Sequence, residues 1–274
     1  MTKIRLWAGY ALLLKMIIVF CVMFVFMEQM AAASEVETDE SRYQACLEGL
    51  MEDPAHQLQQ ALRWYSDGGG AAARHCQAMA RYVLGQYVQA AKELGALAEA
   101  VRLGEGLGAF AKNRKDVLKW QLYAQEGEAW LSAGHYDKAY SALTAALMET
   151  VETERQRASL LWARAIASGQ RKAYDIAVVD LTAAIVLRPE RIDFYLLRGQ
   201  AYRDMRQFDA AMGDIQHILS QQPDHGEALL ERGIIYRLTG ETPLALADWQ
   251  QVVDLYPQTP LAAKAAENIR VTRH

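Results

Sequence analysis

The sequence has few of the residues that bend a chain or carry chemistry. It contains six prolines and three cysteines among 274 residues, and its β-branched runs are few, which favours an almost wholly helical chain. No Gly-x-Ser-x-Gly, His-Glu-x-x-His or Walker-type phosphate loop occurs. The six histidines are scattered without the spacing of metal ligands. We therefore predict a protein that is not an enzyme and that has no metal site and no cofactor.

The chain also lacks a strong charge of one sign. Its formal net charge is −4, and no run of lysine and arginine forms a stripe that could follow a phosphate backbone. Nucleic acid is therefore not expected as a partner.

The N-terminus differs from the rest of the chain. Basic residues precede an apolar stretch at 6–27, and Ala33 ends a run of three alanines. This pattern predicts a signal peptide at 1–33 followed by a mobile linker at 34–40. The alternative is an uncleaved anchor, since the apolar stretch is long enough to cross a bilayer, although Lys15 interrupts it. Both interpretations export the folded part, so we expect a periplasmic protein or one anchored in the inner membrane.

Two cysteines remain after the predicted cleavage, Cys46 and Cys76. An even pair in an oxidising compartment predicts a disulfide. Two free structural thiols are the main alternative. A metal site with the adjacent His75 is a poorer one, because these three residues make an incomplete tetrahedral set.

A period of 34 residues organises the second half of the chain. It separates Pro189, Pro223 and Pro257, and it recurs in alanine (Ala177, Ala211, Ala245), aspartate (Asp180, Asp214, Asp248) and arginine (Arg164, Arg198, Arg232). A fixed period of this length is typical of a helical hairpin stacked on copies of itself.

Individual units show which residues recur. The unit at 192–225 contains Tyr195, Gly199, Tyr202, Phe208, Ala211, Ile215 and Pro223; the unit at 226–259 contains Leu229, Gly233, Tyr236, Ala245, Trp249 and Pro257. This pattern resembles the tetratricopeptide repeat. The resemblance implies an all-α fold, a right-handed α-solenoid of antiparallel helical hairpins.

The same frame continues upstream with weaker markers. It covers 158–191 and 120–153, and it slips by four residues at 154–157. We expect a helical, repeat-like region at 41–119 with a loop at 104–115, repeats at 120–259 and a capping helix at 260–274. Within the first region, Asp53 and Pro54 predict the start of a helix.

Each repeated arginine lies 16 residues before an aspartate. In the hairpin frame this spacing places the arginine on the first helix and the aspartate on the second. We predict the salt bridges Arg164–Asp180, Arg198–Asp214 and Arg232–Asp248. The alternative interpretation is an anion-binding site.

The resemblance also implies a partner-binding surface, because the first helices line the concave face in this family. The residues at those positions are Trp162, Ile166, Leu196, Gln200, Arg203, Leu230, Ile234 and Arg237. An apolar groove edged by two arginines suits an extended or helical peptide with some acidic character. Family members that bind a C-terminal carboxylate use a Lys/Asn/Arg set, which Trp162 and Ile166 replace here, so that ligand is not expected. Packing between neighbouring hairpins is the other explanation of these side chains.

Together these features predict a non-catalytic protein–protein interaction scaffold of a Gram-negative cell envelope, with a protein or peptide as partner. A membrane is expected as a partner only if the N-terminal segment stays uncleaved. Two alternatives are an accessory or catalytic subunit of a cell-wall or polysaccharide enzyme, and a self-assembling structural protein. The sequence names neither the partner nor the oligomeric state.

Overall fold

The computed structural model describes residues 39–104 and 115–273. The predicted signal peptide, residues 34–38 of the predicted linker and residues 105–114 of the predicted loop lie outside these ranges. Thirteen helices and no strands occur in the described part, as expected for an all-α chain. The chain divides into two units, residues 1–48 and 49–274.

The described part of the first unit is the helix α1, Asp39–Gly49, whose last residue belongs to the second unit. It begins inside the segment predicted as a linker. Asp39 and Glu40 occupy its first turn, where negative charge interacts favourably with the helix dipole. This charge explains why the helix starts before the expected Ser41.

The second unit contains twelve further helices. In chain order they are α2 Pro54–Ser66, α3 Gly70–Val83, α4 Tyr87–Leu103, α5 Lys115–Ser132, α6 Tyr136–Met148, α7 Glu154–Gln170, α8 Tyr174–Leu187, α9 Ile192–Asp204, α10 Phe208–Gln221, α11 Gly226–Thr239, α12 Thr242–Leu255 and α13 Pro260–Arg273. Each helix from α2 to α13 packs against the next, and α7, α9, α11 and α13 also contact one another in order. The result is a solenoid of helical hairpins, as the period predicts.

Small residues let the two helices of each hairpin approach closely. Five hairpins, α3–α4, α5–α6, α7–α8, α9–α10 and α11–α12, have a buried Gly or Ala on the first helix and a buried Ala 12 residues later on the second. These pairs are Ala78/Ala90, Gly127/Ala139, Ala165/Ala177, Gly199/Ala211 and Gly233/Ala245. At Gly233, an added Cβ would lie only 2.4 Å from the indole of Trp249. Gly233 is therefore a site where no larger side chain fits unless Trp249 moves.

The repeated prolines end the second helices. Helices α8, α10 and α12 each stop two residues before Pro189, Pro223 and Pro257, since the residue before a proline is disfavoured in the helical conformation. Pro260 does the opposite and occupies the first position of α13. Proline is tolerated there because the first amides of a helix have no intrahelical acceptor.

The four-residue slip in the period is absorbed at the start of α7. This helix begins at Glu154 and has 17 residues, whereas α9 has 13. A capping box fixes its start: Thr153 Oγ1 accepts from Gln156 N–H at 3.2 Å, and Gln156 Oε1 accepts from Thr153 N–H at 3.1 Å. The inserted residues therefore add a turn to one helix and leave the stacking intact.

Two local predictions in the N-terminal region are confirmed. Asp53 caps α2 by accepting from His56 N–H at 3.0 Å, with Pro54 at the first helical position. Cys46 and Cys76 are both in the disulfide-bonded form.

Within the described ranges, no helix has the length and apolar character needed to span a membrane.

Candidate functional site

The three repeated arginine–aspartate pairs are formed, each within one hairpin. Arg198 on α9 donates to Asp214 on α10 from Nε at 2.9 Å and from Nη2 at 2.7 Å. The other pairs share this two-pronged geometry, with distances of 2.8 and 2.6 Å for Arg164–Asp180 and 2.8 and 2.7 Å for Arg232–Asp248. All three aspartate side chains are buried. Such bidentate contacts are among the stronger hydrogen bonds in proteins.

Two of these arginines also join neighbouring hairpins. Arg198 Nη1 donates to Thr182 Oγ1 at 3.0 Å, and Arg164 Nη1 donates to Thr144 Oγ1 at 3.3 Å. Each threonine lies on the second helix of the preceding hairpin. The guanidinium has five N–H donors in a planar fork, so one arginine can bond a carboxylate and a hydroxyl together. These contacts give the arginines a structural role within and between hairpins, and they do not support an anion site.

The predicted partner-binding residues lie on α7, α9 and α11, and we call them the first-helix face. Its apolar members are neither fully buried nor free. Trp162 packs against the core cluster of α7 and α8, while Leu196, Leu230 and Ile234 pack against the core of the C-terminal hairpins. All four stay partly exposed. One side of each side chain therefore packs between helices, and the other side reaches solvent.

Ile166 and Gln200, the remaining uncharged members, meet in a cleft of about 300 Å³ between α7 and α9. Its apolar wall consists of Ala165, Ile166, Ala177, Leu197 and Ala201, and its polar rim includes Gln170, Lys172, Tyr174, Gln200 and Asp204. Gly169 also lines it, and an added Cβ there would meet nothing within 4 Å. A side chain at this position would therefore extend into open space.

Arg203 forms ion pairs with residues of its own chain. Its Nε donates to Glu231 on α11 and its Nη1 donates to Asp204, while Nη2 lies 3.5 Å from the second Glu231 oxygen. Burial raises the pKa of the Glu231 carboxyl, and hydrogen bonds from Arg203 and Gln200 oppose that shift. The groove edge predicted at Arg203 is thus an internal ion pair between two successive first helices.

Arg237 is the exposed arginine of the first-helix face. It makes no ion pair or side-chain hydrogen bond with any residue in the part of the chain that the structure describes. Its guanidinium is therefore available to a partner.

Glu231, Gly169 and Asp204 belong to this surface but were not singled out from the sequence. The signal for Glu231 was available: the residues one period before and after it are Leu197 and Ala265. A carboxylate at a position that is otherwise apolar needs a cation nearby.

Comparison with known proteins identifies one repeat by sequence and similar folds by structure. Residues 227–259 match the sequence profile of the tetratricopeptide repeat. No curated protein matches the sequence. Among solved structures, YrrB, described as a TPR protein with an unusual peptide-binding site, is similar at a TM-score of 0.54 and 17% identity, over 72% of this chain and 92% of its own. MamA 41-end from Desulfovibrio magneticus RS-1 is similar at a TM-score of 0.57 and 17% identity, over 69% and 97%.

These identities are low, so the structural likeness concerns the fold alone. The matched repeat lies in the hairpin α11–α12, and the other hairpins share its marker positions at the same spacing within the hairpin. The chain therefore contains a tetratricopeptide repeat and has the fold of tetratricopeptide repeat proteins.

Proposed function

We propose that this protein is a non-catalytic interaction scaffold that binds a segment of a partner protein along the first-helix face. The observation that carries the proposal is the row of partly exposed apolar side chains on α7, α9 and α11. Buried residues already fill the interior of each hairpin, so the exposed sides of this row serve no packing purpose. Contiguous exposed apolar surface is typical of an interaction site.

The comparisons support this proposal at the level of the fold. YrrB, which has a similar fold, is described as having a peptide-binding site. A stack of rigid hairpins suits recognition without chemistry, because it presents side chains from several helices at fixed spacing. In the described residues, no group of three or more His, Cys, Asp or Glu side chains is placed to hold a metal ion.

We further propose that the folded part works in the cell envelope, on the outer side of the cytoplasmic membrane. This part rests on the N-terminal sequence: the basic start, the apolar stretch and the alanines before Ser34. N-terminal sequencing of protein recovered from cells tests it. We expect a chain that begins at Ser34; a chain that begins at Met1 and resists carbonate extraction from membranes would favour the anchored form.

The test of the binding face compares two pairs of substitutions. Trp162→Ser with Leu230→Ser alters the first-helix face. Val179→Ser with Val186→Ser is the control, since these two valines on α8 are 66% and 78% exposed and lie away from that face. Partners captured from an envelope extract by the wild-type chain are identified by mass spectrometry and then measured with each variant.

We expect the first pair to lose the partner and the control pair to keep it. Far-UV circular dichroism and thermal unfolding must show that both variants remain folded. Capture that survives the first pair would refute binding on this face. Loss of capture in the control pair, or a change of its oligomeric state in light scattering, would favour the α8 surface and the self-assembly alternative.

A further inference from the structure

Three successive steps along the first helices place different residue pairs at the same position. Gly169, Arg203 and Arg237 occupy equivalent positions on successive first helices, one period apart. Leu197, Glu231 and Ala265 do the same, and each is paired here with the residue of the first set that lies 28 positions before it. These three pairs lie between α7 and α9, between α9 and α11, and between α11 and α13, which contact one another in that order. The same position between successive first helices therefore occurs three times, each time with a different pair of residues. We call these three occurrences the versions of the position.

The middle version is closed. Arg203 spans from α9 to α11 and donates to both oxygens of Glu231, whose side chain is 4% exposed. This pair shows that an arginine at the repeated position can reach a carboxylate on the next first helix.

The version between α11 and α13 lacks its carboxylate. Ala265 stands where Glu231 stands one period earlier, and it is fully buried in the core cluster that α11 and α13 share. Arg237 is exposed and has no ion pair among the described residues. The arginine is thus retained while its internal partner is missing.

The position between α7 and α9 is an open cleft lined by both aliphatic and polar side chains. Gly169 replaces the arginine and Leu197 replaces the glutamate, and the cleft of about 300 Å³ opens at this step. Ile166 and Leu197 are the larger aliphatic side chains of this lining. A branched aliphatic side chain of a partner can enter this cleft. Between α9 and α11, Arg203 fills the equivalent position.

We propose that the partner is an extended peptide segment that places an aliphatic side chain in the Gly169 cleft and an Asp or Glu side chain on Arg237. The inference rests on the proposed function and specifies its ligand. Packed helices lie about 8–10 Å apart, so two steps span roughly 16–20 Å. An extended chain advances about 3.3 Å per residue, so the aliphatic and acidic residues are about five or six positions apart.

The test selects peptides with the full chain from a displayed library of random peptides about twelve residues long, enough to cover this span. The peptides are fused to the display protein at their C-termini, so any carboxylate that is selected belongs to a side chain. We expect enriched peptides to combine Leu, Ile, Val or Met with Asp or Glu about five or six positions away.

Two substitutions with matched controls read the two contacts separately. Arg237→Glu should weaken a selected peptide about 10- to 100-fold and restore binding to a peptide carrying Lys in place of the acid. Arg155→Glu is its control, because Arg155 is also exposed and unpaired within the described residues. Gly169→Leu should fill the cleft and remove the aliphatic preference. Gly213→Leu is its control, since an added Cβ at this helical glycine also meets nothing within 4 Å.

The outcomes distinguish this inference from the proposed function. Enriched peptides that depend on Trp162 but bind Arg237→Glu and Gly169→Leu unchanged would overturn the inference and leave the binding face in place. Peptides that ignore every substitution on the first-helix face, or a selection that enriches none, would count against both. A charge preference that reverses in Arg237→Glu supports the inference, because a purely structural role of this residue would not reverse it.

Discussion

The hairpins at 154–255 and those at 70–148 pack their two helices in the same way but form different polar contacts. All five have the pair of small residues 12 positions apart, but only the three C-terminal hairpins have the Arg–Asp pair. In α5–α6 the equivalent positions hold Glu126 and Ala142. The close approach of two helices thus defines the hairpin, and the ion pair is an addition to it.

The N-terminal hairpins use individual polar contacts instead. His75 on α3 bonds to Gln125 Oε1 on α5 at 2.8 Å, and burial lowers the pKa of His75. Arg81 pairs with Glu93 at 3.0 Å within α3–α4. Each contact occurs once, so no period in the sequence could reveal it.

The strongest test of this comparison enlarges a small marker residue in each region. Ala139 and Ala211 are fully buried at equivalent positions of α6 and α10. Replacement of either by Leu should lower the free energy of unfolding by about 3 kcal/mol or more, because the facing helix leaves no space. Urea unfolding followed by circular dichroism measures it. Ala210→Leu, on the exposed side of α10, should change little. If Ala139→Leu left the free energy of unfolding unchanged and Ala211→Leu lowered it, the two regions would not share one packing rule.

Removal of the ion pair should matter only where it exists. Arg198→Ala leaves Asp214, whose side chain is 8% exposed, without its cation, and should cost about 2–3 kcal/mol. Arg102→Ala is the control: Arg102 and Glu99 are about half exposed, and such pairs contribute well under about 1 kcal/mol. In a double-mutant cycle with Asp214→Ala, a coupling energy of zero would show that the pair does not stabilise the hairpin.

The marker glycines of two adjacent hairpins should differ in tolerance. A Cβ at Gly233 would lie 2.4 Å from Trp249 Nε1, which donates to Leu230 O, whereas at Gly199 the nearest atom is the flexible end of Ile215 at 3.2 Å. Gly233→Ala should therefore cost about 1–2 kcal/mol even after the gain in helix propensity. Gly199→Ala should stay within about 0.5 kcal/mol of wild type, because that gain offsets a small adjustment. Thermal unfolding of both variants checks this, and equal losses would contradict it.

The smallest expected effect concerns Glu126, which stands at the arginine position without a cation. Burial raises its pKa, although Trp130 Nε1 donates to it at 3.1 Å. A raised pKa means that stability from this group is present below the unfolded value near 4.3 and is lost as pH rises through the folded value. Glu126→Gln should avoid that loss, so at neutral pH it should be more stable by less than about 1 kcal/mol, since water screens the partly exposed carboxylate.

Urea unfolding at pH 7 and below pH 4 measures this difference. The gain should vanish at the lower pH. Glu152→Gln, a substitution at an exposed residue, serves as the control and should show no gain at either pH. A Glu126→Gln variant that is less stable than wild type at pH 7 would contradict the burial argument.

Sequence alone determined the features that repeat or that depend on near neighbours in the chain. The period of 34 predicted the hairpins, the ends of α8, α10 and α12, and the Arg–Asp pairs, because helix geometry converts a fixed spacing into a fixed contact. The start of α2 at Asp53 followed from local capping chemistry. These predictions needed no knowledge of how hairpins stack.

Contacts that occur once between different hairpins were decided by the tertiary structure. Arg203 was predicted to face a partner, yet it pairs with Glu231 on the next first helix. The open cleft at Gly169 and the exposed Arg237 follow from the same stacking, which sets the side chains 28 positions apart against each other across two helices. A sequence period relates equivalent residues of successive repeats, but it does not specify which non-equivalent residues face each other; the packing offset between neighbouring helices determines that, and it exists only in the folded stack.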